Sequence, residues 1–123
     1  MTPEDILNFI ELDWFVRAWK ELGLDDEKSL AALQIRIMCN PKGAPVIPGT
    51  NGVRKLRYSP PGWEIGKRGA LRVCYVYFEK YGLIVLLLVY LKGEMDNISE
   101  AGKHAMRTAI ERIEGSLKKR FGF

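Results

Sequence analysis

The chain has 123 residues, enough for one domain with a modest hydrophobic core, expected over residues 1–123. Apolar residues make up 47% and charged residues 28%, an ordinary globular composition, and the net charge of +4 is a mild basic bias compatible with a polyanionic partner. The longest apolar run, Leu83 to Leu91, is far shorter than the roughly 20 residues of a membrane helix, and the opening MTPEDILNF lacks a basic n-region, so neither a membrane span nor a signal peptide is expected. The expected setting is the cytoplasm, with no membrane partner.

In chain order, Asn8 to Leu12 reads as a short strand. Asp13 then looks like an N-cap, and Trp14, Phe15, Ala18, Trp19 and Leu22 follow at helical spacing. Gly23 is placed to end that helix. Asp25 and Asp26 open a second helix with the apolar stripe Leu30, Leu33, Ile37 and Met38, which Asn40-Pro41 stops. The two helices form an αα-hairpin. Lys42 to Gly52 is a loop dense in glycine and proline. Val53 to Ser59 is a strand, followed by a long connection from Ser59 to Gly69. Leu71 to Phe78 is a strand rich in aromatic and β-branched residues. A turn at Glu79 to Gly82 leads into Leu83 to Leu91, a strand apolar on both faces and therefore central. Ser99 caps a last helix with the stripe Met106, Ile110, Ile113 and Leu117, and Lys103, Arg107, Glu111, Glu114 and Lys118 fall on its wet face. The order predicts an α+β fold: an N-terminal strand and helical hairpin, an antiparallel sheet of about four strands and a C-terminal helix, with the helices packed on one face. Cys39 and Cys74 form no CxxC and read as two buried, reduced thiols.

The stretch from Gly52 to Tyr75 carries Arg54, Lys55, Arg57, Lys67, Arg68 and Arg72 against a single acid, Glu64. The two-residue strand period points Lys55 and Arg57 to one face, and Arg54, Leu56 and Tyr58 to the other. Arg72 opens the partner strand and Lys92 ends the central one, so these cations can converge. A solvated face is the plainest explanation of a charge cluster. Solvated faces usually mix signs, however, and like charges opposed across paired strands cost stability. A phosphate backbone would compensate. Tyr58, Trp63, Tyr75, Tyr77 and Tyr90 lie among the cations in sequence, the combination by which single-stranded RNA is gripped and its bases stacked.

The one histidine, His104, rules out a His-His acid/base pair, and no HExxH, Cys/His metal spacing or P-loop is present. The acids near the cluster, Glu64, Glu94 and Asp96, are too few for a two-metal nuclease. No metal or cofactor is expected. What remains is metal-free cleavage of RNA, which carries its own nucleophile in the 2′-OH. Arginine and lysine can stabilise the charge of the transition state. Lys55 and Lys92 are the candidate acid or base, since an ammonium crowded by other cations releases its proton more readily.

The string VIPGTNGVRKLRYSPPGWEIGKRGALRVCYVYF, with Lys92-Gly93-Glu94 after the central strand, resembles the HigB-like branch of the RelE/ParE toxin superfamily. The opening helices, DWFVRAW and LGLDDEKSLAALQIRIMCNP, fit the same pattern, so the resemblance spans about Phe9 to Ile113. It implies a RelE-like fold and the toxin half of a type II toxin–antitoxin pair. It also implies ribosome-dependent, metal-free mRNA cleavage. By motif position it implies catalytic roles for Lys55, Arg57, Arg72 and Lys92, with Arg72 holding the scissile phosphate. Lys67 and Arg68 correspond to RNA contacts, joined by Arg54 and Tyr75 from the cation-aromatic pattern. The implied partners are an antitoxin carrying a DNA-binding helix-turn-helix, mRNA, and the bacterial 70S ribosome. Three features depart from the pattern: Asn51 in place of a glycine, Gly93 in place of a polar residue, and no tyrosine after Tyr90. Other readings are a ParE-like protein that inhibits gyrase without cutting RNA, or a degenerate, non-catalytic copy.

Overall fold

A computed structural model describes residues 5–63, 69–95 and 97–122. The elements are β1 (Asn8–Glu11), α1 (Asp13–Glu21), α2 (Glu27–Cys39), β2 (Arg54–Tyr58), β3 (Leu71–Phe78), β4 (Leu83–Leu91) and α3 (Glu100–Phe121). The fold is α+β, and β3 and β4 have the boundaries that their β-branched and apolar runs predict. Local chemistry accounts for most element ends. The Asp26 carboxylate accepts from the Ser29 backbone N–H at 2.8 Å and starts α2. Ser99 Oγ accepts from the Gly102 N–H at 3.0 Å and starts α3. Asp13 proves to be the first helical residue of α1 rather than its cap; Leu12 holds the cap position and makes no side-chain cap bond.

The sheet order is β1-β4-β3-β2. β2, β3 and β4 pair antiparallel, as adjacent strands joined in sequence should. The edge strand β1 differs from the expected all-antiparallel sheet: it lies parallel to β4, from Asn8 opposite Leu83 to Glu11 opposite Leu86. Backbone bonds from Asn8 N to Gly82 O (2.9 Å) and from Leu12 N to Leu86 O (3.0 Å) fasten its two ends.

The helices do not share one face. Phe15, Trp19, Leu33 and Ile37 of α1 and α2 pack with Leu56, Tyr58, Leu71, Val73, Tyr75, Ile84 and Leu86. Met106 and Ile110 of α3 pack on the opposite face, with Val53, Cys74, Val76, Phe78, Leu83, Val85 and Leu87. The physical reason lies in β4. Both of its faces are apolar, so both need cover, and one αα-hairpin can cover only one.

β4 also contains an irregularity that sequence pattern does not announce. Tyr75 opposes Leu86 while the preceding Cys74 opposes Leu88, so Leu87 is an extra residue in the ladder. The bulge switches the strand's parity. Leu83, Val85 and Leu87 face α3, and beyond the bulge so do Leu88 and Tyr90. Ile84 and Leu86, and then Val89, face α1 and α2.

Candidate nucleic-acid interface

The face of the sheet that α3 covers is apolar at one end and cationic at the other. Along β2 the same-face residues run from Val53, fully buried, through the half-buried Lys55 to the exposed Arg57. α3 starts at Lys55: the side chains of Asn97, Ile98 and Lys103, at the helix's amino end, line a cleft together with it. Beyond that point the sheet carries Arg57, Arg72 and Tyr90 as one row, since Arg57 opposes Arg72 and Arg72 opposes Tyr90. Neighbours in such a row stand about 4.8 Å apart from strand to strand, and residues two along a strand about 7 Å apart. Lys92 follows Tyr90 by two residues, past the end of β4. It is exposed, and its backbone N–H donates to Ala70 O at 3.2 Å, which holds this turn against the start of β3.

Three of the four basic residues expected to act together, Lys55, Arg57 and Arg72, therefore belong to one end of one face, and Lys92 lies in the turn just past it. Arg57 directly opposes Arg72, an unfavourable pairing unless something compensates. Among the described residues no carboxylate pairs with Lys55, Arg57, Arg72 or Lys92; the ion pairs are Lys42–Glu79, Lys103–Glu100 and Lys118–Glu114. The Arg72 guanidinium makes one long contact, 3.4 Å, to the Leu71 carbonyl. Glu94, the nearest acid in sequence to Lys92, accepts from the Leu91 backbone N–H at 3.4 Å. Lys67 and Arg68 lie outside the described residues.

The aromatic part of the expected interface is elsewhere. Tyr75 is 1% exposed and belongs to the core under α1 and α2. Its hydroxyl donates to Pro41 O at 2.8 Å, and burial raises its pKa against the opposing charges of Arg54 and Arg36. It has no ring face to offer a base, and in this structure it is a core residue rather than an RNA contact. Tyr58 is likewise buried on that side, and Trp63 and Tyr77 pack against the same core. Arg54, the other residue of that parity, spends its guanidinium on the loop before β2, donating to Lys42 O at 2.8 Å and to Ala44 O at 2.7 Å. Residues that alternate in sequence with the cations point away from them; the interleaving was a property of the string and not of the surface.

Tyr90 is the exception, and the bulge is the cause. Without the extra Leu87 its side chain would fall on the α1/α2 side. Instead it shares the cationic face, 5% exposed, next to Arg72 and hydrogen-bonded to the Cys74 thiol. Cys74 lies opposite Lys55. Burial pushes its thiol up to about 12, against the lowering effects of the Lys55 charge and the Tyr90 hydroxyl, so it stays protonated and is no nucleophile. Cys39 departs from expectation: it is exposed at the end of α2 rather than buried.

The loop ahead of β2 shapes the other side of the site. Ile47 N donates to Val53 O at 2.7 Å and Lys55 N to Pro45 O at 3.0 Å, so residues 45–47 line the outer edge of β2. The turn between them is made by Gly49-Thr50-Asn51-Gly52. Gly49, Asn51 and Gly52 all have positive φ, and Asn51, at 66°, carries that conformation as only a few non-glycine residues readily do. The buried Thr50 hydroxyl donates to Ile47 O at 2.6 Å and accepts from Val53 N at 3.1 Å, which closes the turn on itself. Arg107 of α3 donates to Gly49 O and ties the loop to the helix. Lys103 and Arg107 thus face the site's border, where helical periodicity alone places them in water.

No protein-family model matches the chain. Among solved structures the chain is similar to a double mutant of the E. coli toxin RelE in the free state, with a TM-score of 0.53 and 12% identity over 84% of this chain and 95% of that one. The fold is RelE-like. At that identity the likeness speaks for the architecture alone, and the function has to be argued from the site.

Proposed function

We propose that this protein is the toxin of a type II toxin–antitoxin pair, of the HigB-like branch, and that it cleaves mRNA in the ribosome. The carrying observation is Lys55, Arg57 and Arg72 on one end of one sheet face, with Lys92 in the turn after β4, Arg57 and Arg72 directly opposed and no described carboxylate paired to any of the four. A polyanion relieves that arrangement. Arg72, in the middle of the row, is the residue to hold the scissile phosphate and to stabilise the charge that builds on it during attack by the 2′-OH. Arg57 and Lys55 flank it on β2. Lys92, past the end of β4, is free to reach the leaving 5′-oxygen as proton donor. Such a site accelerates little unless the RNA is held in line for attack, and the ribosome supplies that positioning. The reading calls for no metal, because the nucleophile belongs to the RNA. It implies a cytoplasmic protein restrained by an antitoxin whose acidic surface covers these cations.

The experiment is mRNA cleavage in a purified translation system, with and without ribosomes, with the cut ends mapped. The expected result is cutting only of translated mRNA, at A-site codon positions. Intact mRNA in the presence of folded, toxic protein would refute the nuclease reading and favour gyrase inhibition, to be tested by DNA supercoiling.

A further inference from the structure

The cleft at the amino end of α3 has a volume of about 330 Å³, within the range of pockets that hold small organic groups. Two lysines, Lys55 from β2 and Lys103 from α3, line it. Its walls are apolar, made by Val46, Pro48 and Ile98, and Asn97 stands at its edge. No described carboxylate lines it. Among the described residues Lys103 has one ionic neighbour, Glu100, at a loose 3.7 Å, and the Glu100 side chain is 88% exposed, so that pair does little to satisfy the charge. The loop wall, residues 45–48, is held to the edge of β2 by the Ile47–Val53 and Lys55–Pro45 backbone bonds and leads into the turn that the Thr50 hydroxyl and Arg107 brace.

Two lysines, apolar walls and an amide match the parts of a nucleotide. A phosphate suits two ammonium groups, and a base suits a flat apolar wall. An asparagine amide, with its donor and acceptor side by side, suits a base edge. The cleft is continuous with the cationic row through Lys55, about 7 Å along β2 from Arg57. We infer that this cleft is a nucleotide subsite for the RNA next to the scissile phosphate. Lys55 and Lys103 hold that nucleotide's phosphate, Val46, Pro48 and Ile98 seat its base, and Asn97 reads the base edge. The inference rests on the RNA-cleaving reading and adds to it a residue, Lys103, and a source of sequence preference.

The test uses the full chain and two readouts. One is the salt dependence of binding to a short single-stranded RNA made non-cleavable by 2′-deoxy substitution. The other is the map of cut positions on translated mRNA. Lys103→Gln keeps a carbon at the Cδ position that lies beside Gly49, stays polar, and removes the charge. It should reduce the slope of log affinity against log salt by about 0.7, the value of one phosphate contact on a single strand. Lys103→Arg should restore the slope. Asn97→Ala should leave the slope unchanged and relax the base preference at one position beside the cut. An unchanged slope for Lys103→Gln with an unchanged cut map for Asn97→Ala, in a protein that still cuts mRNA and loses cutting on Arg72→Ala, would overturn the subsite while leaving the nuclease reading in place. Wild-type protein that neither binds nor cuts RNA would overturn both.

Discussion

The two faces of this sheet are built from interleaved residues and yet serve opposite ends. On the α1/α2 side, Leu56, Tyr58, Val73 and Tyr75 are buried against Phe15, Trp19, Leu33 and Ile37, and even the arginine of that parity, Arg54, is occupied by loop carbonyls. On the other side, Lys55, Arg57 and Arg72 come from the same two strands, one residue out of step, and are left without acidic partners among the described residues. One face supplies stability. The other, past the reach of α3, gives some of it up to hold like charges together. A region that opposes its own charges without neutralising them is where a ligand of the opposite sign belongs.

The comparison can be broken most sharply at Arg72. Arg72→Ala should lower mRNA cleavage roughly 10²- to 10³-fold, the scale of removing one transition-state donor, and abolish growth inhibition in cells. Circular dichroism and the urea midpoint should stay close to wild type. Unchanged killing by this variant would remove Arg72 from the site. The mirror experiment is Leu33→Ala on the buried face. Leu33 is fully buried, so the change should cost about 2–5 kcal/mol in urea unfolding, with little effect on the cleavage rate of the molecules that remain folded.

A smaller effect sharpens the contrast at the border between the faces. The Cys74 thiol is raised from 9.0 to about 12 by burial. The unfolded chain therefore loses its proton first as pH rises. The stability tied to this group is complete below about pH 9 and is lost progressively on the way to 12. Burial raises Tyr58 and Tyr75 in the same direction. Urea midpoints measured across the alkaline range should fall, and Cys74→Ala should make that fall shallower. In the native state a thiol reagent should label Cys39 quickly and Cys74 only on unfolding. The smallest effect is expected at Arg57. Removing one member of the opposed arginine pair by Arg57→Ala should raise stability, by up to about 1 kcal/mol, while weakening RNA cleavage. A loss of stability in that variant would mean that the pair is not repulsive and would weaken the case that the cations await a polyanion.

Much of the architecture was legible in the string. A β-branched, aromatic run and a continuous apolar run marked β3 and β4 to the residue, the Asp25-Asp26 pair and the Ser99 cap marked the starts of α2 and α3, and Asn51 could be read as a residue able to hold positive φ. These are local properties: a cap or a left-handed turn is decided within a few residues. Parity within β2 is local too, which is why alternation alone pairs Lys55 with Arg57 and sets Arg54 apart.

What the string could not decide was how separate strands and helices align. Alternation inside one strand is certain, but which of its faces meets which neighbour depends on register, and one extra residue reverses it. Leu87 is that residue. It turns Tyr90 toward Arg72, while ordinary alternation buries Tyr75 and Tyr58 on the far side. The position of α3 is equally a tertiary outcome. Its stripe fixes which side of the helix is apolar, but only the need to cover the second face of β4 brings Lys103 and Asn97 beside Lys55. The sequence by itself determined the elements and the pool of cations. The packing of two apolar faces against three helices determined which of those cations, and which one tyrosine, would meet.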